Sequence, residues 1–422
     1  MPSLHLPLNA AEPRIMHIDL NSCFATVEQQ ARPLLRGRPV GITNRLNPYC
    51  ILVAVSYEAK KLGVKVGMRI NDAVKLAPGL IVAETDPPKY HYVYQHLVRI
   101  MKSYSPDVTM KSIDEGIIDF GRVVGGVPSL EELVEIGMQI KQRLKSEVGG
   151  WMRCNIGIAP NRFLAKTAAG LHKPNGLDII THQNLRATLA RLELTDLTGI
   201  ANRNEARLNA CGIYTPLQFL DAASETLRKR VFRSVCGDDW YRRLRGYETD
   251  DEVWDTKSVS RQFVMDDKYP TTEVLHARLN YLCENVGLKL RHKGFAARGV
   301  SVYARYDTGD YWHERKAFNS AFYSNAEICR RATLLFNRRP RDAIVRELGI
   351  TCYLLDASAR AQTNLLEEVN KQERLTDTID SINTRYGEYT VMFAVSAPAK
   401  GQVKTKVPFG STRYFDMLLS QA

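Results

Sequence analysis

Lys111–Phe120, KSIDEGIIDF, sets two adjacent carboxylates, Asp114 and Glu115, between the apolar stretches VTMKSI and GIIDF. The pattern predicts two short strands joined by a hairpin, with Gly116 permitting a tight turn. Neighbouring side chains on a continuous strand point to opposite faces, so a bend is the simplest way to aim both acids at one place. A hard divalent cation needs several oxygens, and a third acid must therefore come from elsewhere. Asp19 is the candidate. It ends the apolar strand IMHID, and Asn21 then reads as the N-cap of a helix over SCFATVEQQARPLL. Taken singly, each acid is equally well a solvated turn or strand-end carboxylate; the combination points to a cation site.

The 422 residues, 44% of them hydrophobic, suffice for about three domains with true cores. A formal net charge of +12 favours a polyanionic partner, either nucleic acid or an acidic surface. No stretch approaches the roughly 20 apolar residues of a spanning helix. The first fourteen residues, MPSLHLPLNAAEPR, lack the basic start and apolar middle of a secretion signal, so a cytoplasmic protein without membrane attachment is expected. The eight cysteines are scattered singly, which argues against zinc and against a disulfide framework.

In chain order, strand 14–19 precedes a helix whose first turn holds Cys23 and Phe24, where backbone N–H groups can receive phosphate oxygens. Residues 31–85 form a small module in which the helical YEAKKLG puts Tyr57 and Lys60 on one face, suited to gripping a triphosphate or to plain solvation. After the breaker Asp86–Pro88 comes a helix over KYHYVYQHLVRIMKSY, then the acidic hairpin. A helix follows with Ser129 and Glu132 as a capping box and Gly149 as its stop. Then come the strand WMRCNIGIA, a helix with Pro160 in its first turn, and the strand LDII. Lys166 and Lys173 lie seven apart, close to two helical turns, so one helix side is expected to aim both at an anionic substrate. This order describes a mixed sheet with helices packed on it, an α+β platform.

Residues 181–250 read as helical, with a turn at Gly199-Ile200-Ala201 that opens onto a helix and either offers amides to a phosphate or simply joins two helices. The acidic linker YETDDEVWDT leads to a β-α-β-β-α-β unit from Lys257. Residues 257–360 hold 18 Lys/Arg against 11 Asp/Glu, an excess of +7 that suits a second grip on a nucleic-acid backbone. Beyond 356 the chain is polar, expected to be partly disordered but with a helical TDTIDSINTRYG.

HIDLNSCFATVEQ, SYEAKKLGVKVGM, KSIDEGIIDF, GIAPNRFLAKTAAGLHKPNG and KSVSR, in that order over about 14–356, resemble the Y-family DNA polymerases, the lesion-bypass class that includes bacterial polymerases IV and V. The resemblance implies an α+β right-hand fold: palm over 1–22 and 86–180, fingers over 23–85, thumb over 181–247, a linker at 248–256, a little finger over 257–356 and a tail over 357–422. It makes Asp19, Asp114 and Glu115, with the backbone carbonyl of Leu20, the ligands of two Mg²⁺ ions, with Mn²⁺ able to substitute. It assigns the incoming deoxynucleoside triphosphate to the amides of Cys23 and Phe24 and to Tyr57, Lys60 and Lys173. Phe24 becomes the steric gate against a ribose 2′-hydroxyl. Gly199, Ile200 and Ala201 would take the primer backbone, and Lys257 and Arg261 would contact DNA from the little finger.

The chain departs from the family's pattern at four places. Lys60 stands where Arg is common, which loses bidentate phosphate geometry. Ala54 replaces a common Thr, Asn21 a frequent second Asp, and Ala201 the usual Gly. Gln362-Thr363-Asn364-Leu365-Leu366 resembles, in degenerate form, the Gln-x-x-Leu-Phe peptide that holds the bacterial sliding clamp. The implied activity is template-directed DNA synthesis on primed DNA, across damaged bases, with low fidelity and no proofreading. The alternative is a catalytically silent repair scaffold, whose mark would be loss of one of the three acids.

Overall fold

The strand expected to end near Asp19 is β1 (Ile15–Leu20), followed by α1 (Cys23–Ala31). The computed structural model describes residues 6–123, 125–251, 255–265, 268–357, 367–387 and 390–396. They fall in two compact units, one running to Glu252 and the other starting at Val253.

In the first unit a small module comes after α1. It consists of β2 (Val40–Thr43), β3 (Leu52–Val55), α2 (Tyr57–Lys61), α3 (Ile70–Leu76) and β4 (Ile81–Glu84), with its sheet ordered β3-β2-β4. Then come α4 (Pro87–Lys102), the hairpin of β5 (Val108–Met110) and β6 (Glu115–Asp119), α5 (Leu130–Arg143), β7 (Cys154–Ala159), α6 (Arg162–Leu171) and β8 (Leu177–Ile179). Five of these strands make one mixed sheet, β5-β6-β1-β7-β8, in which β7 and β8 pair in parallel and the others antiparallel.

β1 is covered on both faces, which is why IMHIDL is apolar nearly throughout. Met16, Ile18 and Leu20 enter a core with Tyr94, Leu97 and Met101 of α4 and Leu133 and Ile140 of α5. Ile15, on the other face, packs with Phe163, Leu164 and Ala168 of α6. That face admits α6 at backbone distance because of Gly157 in β7, where a Cβ would lie 2.0 Å from the Ala165 carbonyl oxygen.

Two local expectations need correction. Gly116 sits inside β6 and not in a turn; a Cβ there would meet the sulfur of Met110 at 2.6 Å and the methyl of Met101 at 2.8 Å, so close packing demands the glycine. α6 is capped by Asn161 and not started by Pro160, the Asn161 side-chain oxygen Oδ1 accepting from the Leu164 amide at 2.8 Å. The capping box of α5 forms as expected, with the Ser129 amide donating to Glu132 at 2.7 Å and the Glu132 amide to Ser129 at 3.3 Å.

Residues beyond 181 are helical as anticipated, in α7 (Leu185–Leu189), α8 (Asn202–Asn209), α9 (Pro216–Asp221), the single turn α10 (Ser224–Thr226) and α11 (Cys236–Leu244). They share a core with α6 in which Trp240 meets Phe163 edge-on at 5.3 Å. The acidic stretch after α11 is tied down at its start. Glu248 accepts from the Arg162 amide at 3.1 Å and pairs with its guanidinium at 3.0 Å.

The second unit has the anticipated β-α-β-β-α-β order: β9 (Ser258–Val264), α12 (Thr272–His292), β10 (Ala296–Tyr306), β11 (Tyr311–Phe322), α13 (Asn325–Phe336) and β12 (Val345–Asp356). Its antiparallel sheet is ordered β11-β10-β12-β9 and shares one core with both helices. The polar stretch beyond forms α14 (Glu367–Tyr386), longer than TDTIDSINTRYG alone suggests. It is held to α12 by charge: Arg291, its side chain 1% exposed, donates to both oxygens of Asp380 at 2.5 and 2.8 Å. Gln362, Leu365 and Leu366 lie outside the described residues. Among the described residues no helix is long and apolar enough to cross a membrane.

Candidate active site

The pairing of β1 with β6 brings the three acids together. Asp19 lies directly opposite Glu115, and the Leu20 amide donates to the Asp114 carbonyl at 2.8 Å. Leu20 and Asp114 are thus the hydrogen-bonded pair, and Asp19 and Glu115 the closer, non-bonded one, whose side chains leave the sheet on the same face. The thiol of Cys23, at the start of α1, is pushed well above its ordinary pKa by burial first and then by the charges of Asp114 and Asp19. The helix N-terminus and the acids therefore share one locality.

Each acid already has a partner of its own. Lys166, from α6, donates to both Glu115 oxygens at 2.8 and 3.0 Å, and His17 Nε2 lies 3.3 Å from the same carboxylate. Burial would raise Glu115, but His17 and Lys166 outweigh it and hold the carboxyl at about 2. Lys173 donates to Asp19, and the Ser112 hydroxyl donates to Asp114. Asp114 is nonetheless raised, by burial first and then by Asp19 and Glu115, with Ser112 opposing. The two lysines, expected on one helix side and aimed at an anionic substrate, both bond to the acids instead. Lys173 lies beyond the end of α6 on the following loop, and only Lys166 is on the helix.

Among the described residues no three His, Cys, Asp or Glu side chains are gathered into a ready cation cage. Glu115 and Asp19 are drawn instead to the ammoniums of Lys166 and Lys173, and Asp114 to the Ser112 hydroxyl. The donor set fits a hard divalent cation all the same: three carboxylates within one strand pair, at the strand end that carries the Leu20 carbonyl, all oxygen and no sulfur or imidazole among them.

The groups expected to hold a triphosphate border the acids. Ser22, in the left-handed region at φ 47°, is the N-cap of α1 and makes no side-chain cap. Asn21, expected in that role, instead turns its amide to Asn155 and to the Asn175 amide. Tyr57 and Lys60 share a face of α2, the ammonium 4.5 Å from the ring centre. The Tyr57 hydroxyl is raised by burial and then by the charge of Asp19. Lys60 is lowered by burial and then by the charge of Lys173. The charges of Lys60 and Lys173 thus oppose each other, with the charge of Asp19 offsetting part of the effect at Lys60.

Phe24 is buried and stacks on Tyr90 of α4, a partner the sequence reading missed. The Tyr90 hydroxyl donates to the wholly buried Glu28 at 3.2 Å, and Lys89 pairs with the same carboxylate at 3.1 Å. Helical spacing marks Tyr90 as a core position but not which ring it meets.

Away from the acids, Gly199 adopts φ 97° with Trp240 packed 3.2 Å from where its Cβ would be. Ile200 is buried and Ala201 is the exposed N-cap of α8, so the turn opens onto a helix as expected. In the second unit Lys257 and Arg261 are exposed, just before and within β9. Lys289, which the sequence did not single out, is lowered to about 8 by burial and then by the charges of Arg261 and Lys293, so a basic cluster backs that strand.

The chain matches the impB/mucB/samB family over residues 18–170 and the family's C-terminal domain over 256–365. It is 31% identical over 406 residues to a DNA polymerase IV of Pelotomaculum thermopropionicum, covering 93% of this chain and 97% of that one. A DNA polymerase IV of Moorella thermoacetica is 31% identical over 401 residues, with 92% and 97% covered. Among solved structures, a Y-family DNA polymerase chimera of Dbh and Dpo4 superposes with a TM-score of 0.67 at 24% identity, over 81% of this chain and 98% of that one. An insertion ternary complex of Dbh DNA polymerase gives 0.56 at 24% identity, over 80% and 98%. The chain is a member of the impB/mucB/samB family and has the right-hand fold of the Y-family DNA polymerases.

Proposed function

We propose that the chain is a template-directed DNA polymerase of the translesion class, adding deoxynucleotides to a primer 3′-hydroxyl opposite undamaged or damaged bases, with low fidelity and no proofreading. The observation that carries this reading is the cross-strand placement of Asp19 against Glu115, with Asp114 bonded to Leu20 beside them. Near-full-length similarity to relatives called DNA polymerase IV supports it. A silent scaffold would be marked by a missing acid, and all three are present.

In this reading the five-stranded sheet with its helices is the palm (1–22 and 86–180), the small module the fingers (23–85), the helical segment the thumb (181–247) and the second unit the little finger (257–356). Asp19, Asp114, Glu115 and the Leu20 carbonyl would hold two Mg²⁺ ions, or Mn²⁺, which supply acidity to the 3′-hydroxyl and neutralise charge on departing pyrophosphate. Lys173 and Lys60 would transfer their charge to the triphosphate, with Tyr57 and the amides of Cys23 and Phe24 completing its seat. The Phe24 ring would stand where a 2′-hydroxyl needs room. Gly199–Ala201, Lys257 and Arg261 would hold the DNA backbone, and Gln362, Leu365 and Leu366 a sliding clamp. The place of work is the cytoplasm.

Primer extension on undamaged and abasic templates, with a cation-free control, tests the reading. Asp114→Asn is expected to lower extension by roughly a thousandfold or more, because one ligand of the charge-neutralising pair is lost. Undiminished extension would refute the assignment.

A further inference from the structure

Lys173 does not ride on a helix, yet its ammonium is delivered to Asp19. Something other than helical geometry must fix it. The loop that carries it, His172–Gly176, is gripped through its backbone by three side chains, all buried and all from other elements.

Asn155 of β7, 0% exposed, donates to the His172 carbonyl at 3.1 Å and accepts from the Gly176 amide at 3.2 Å. Asn21 accepts from the Asn175 amide at 2.8 Å and donates to Asn155 at 3.0 Å, which locks the two amides together. Lys141 of α5, 8% exposed, donates to the carbonyls of Asn175 and Gly176 at 2.6 and 2.7 Å. The loop itself is tight: Asn175 is left-handed at φ 63°, and a Cβ on Gly176 would lie 2.3 Å from the His172 carbonyl oxygen.

Lys141 is the costly member. A buried ammonium is expensive to desolvate, and its two short bonds go to neutral carbonyls rather than to a carboxylate. An apolar residue at this core-facing position would fill the space more cheaply. A cation there does what an apolar residue cannot: it ties two consecutive carbonyls of the loop to α5, that of Gly176 also accepting from the Ile156 amide of β7 at 3.0 Å. That fixes the backbone two residues from Lys173.

We propose that Lys141, Asn155 and Asn21 are positioning residues that set the 172–176 loop and, through it, hold the Lys173 ammonium where the incoming triphosphate is bound. The inference rests on the polymerase reading only for the identity of the anion. It also accounts for Asn at position 21, since a carboxylate there could not donate to Asn155.

Single-nucleotide insertion kinetics with the full chain test it. Lys141→Met is expected to raise KM for the deoxynucleotide about tenfold while kcat changes less than about threefold, as for loss of a binding contact. In a Lys173→Ala background the same substitution should change KM by less than about twofold, because Lys141 acts through Lys173. Lys141→Arg should recover most of the loss. Effects of Lys141→Met and Lys173→Ala that multiply, or an unchanged KM in Lys141→Met, would overturn the proposal. If Lys141→Met does not fold, Asn21→Ser, which removes the grip on Asn175 and the bond to Asn155, makes the same comparison. Hydrogen exchange reads the loop without catalysis: the amides of Asn175 and Gly176 should exchange at least about tenfold faster in either variant. Should the wild-type chain fail to extend primers, the polymerase reading falls, while the exchange measurement still decides whether the grip exists.

Discussion

The rings of Phe24 and Tyr90 lie face to face, 4.2 Å between centroids and 9° between planes. Phe24 belongs to α1 and Tyr90 to α4, and Tyr90 is itself anchored by its hydroxyl to the buried Glu28. The ring proposed to exclude ribose is therefore backed by a second ring that cannot easily retreat.

Removing either ring should weaken sugar discrimination. Phe24→Ala is expected to lower the ratio of kcat/KM for deoxy- over ribonucleotides by roughly 100-fold, and Tyr90→Ala by about tenfold, as Phe24 swings into the freed space. Extension of deoxynucleotides should persist in both. A ratio unchanged in Phe24→Ala would show that the gate is elsewhere.

Asp114 and Glu115, though adjacent, are shifted in opposite directions. Glu115 is held at about 2, so it contributes stability that is present above the ordinary glutamate pKa and lost as pH falls towards 2. Asp114 is raised, so its ionised form costs stability, a cost relieved as pH falls through its folded-state value. On acidification a cation therefore competes with a proton that Asp114 holds more tightly than an ordinary aspartate does. At subsaturating Mg²⁺, extension should fall on mild acidification before it does at saturating Mg²⁺. Ser112→Ala, which removes the hydroxyl that favours ionised Asp114, should move that fall to higher pH. Identical pH profiles for the two proteins would contradict the assignment.

Gly157 and Gly170 make a matched pair for the packing of α6. A Cβ at 157 would meet backbone atoms at 2.0 Å (Ala165 O) and 2.3 Å (Ala169 N), whereas one at 170 has nothing within 4 Å. Gly157→Ala should cost about 3 kcal/mol or more by lifting the helix from β7, whereas Gly170→Ala should gain about 0.5–1 kcal/mol. Denaturant titration measures both. A mild effect at 157 would mean that α6 can shift without loss.

The Arg291–Asp380 pair predicts that α14 is part of the second unit's stability. Asp380→Ala leaves a buried guanidinium without its carboxylate and should cost about 3 kcal/mol. A melting temperature unchanged by the substitution would show that α14 docks by other means.

The element order and most of the site were legible in the sequence because the signals are local. Apolar runs marked β1 and β6, and a capping box marked α5. Where the sequence misled, a contact distant in the chain had taken over. Gly116 answers to Met101 and Met110 and not to a turn. Asn21 leaves its capping role for Asn155 and Asn175. Lys173 reaches Asp19 from a loop, although its spacing from Lys166 suggested a helix. The polar segment after residue 366 gave no apolar stripe to read, and the Arg291–Asp380 pair that ties it to α12 is not something composition displays.

By itself the sequence determined which side chains exist to do chemistry and which secondary elements carry them, since both follow from residue type and from periods of two or 3.6. Only the tertiary structure decided that Asp19 faces Glu115, that Phe24 rests on Tyr90 and that Lys141 reaches the loop of Lys173. Those are matters of strand register and of helix docking. A one-residue slip of β1 against β6 would send Asp19 to the opposite face with the composition unchanged, and what prevents that slip is the burial of Met16, Ile18 and Leu20 on the other side of the sheet.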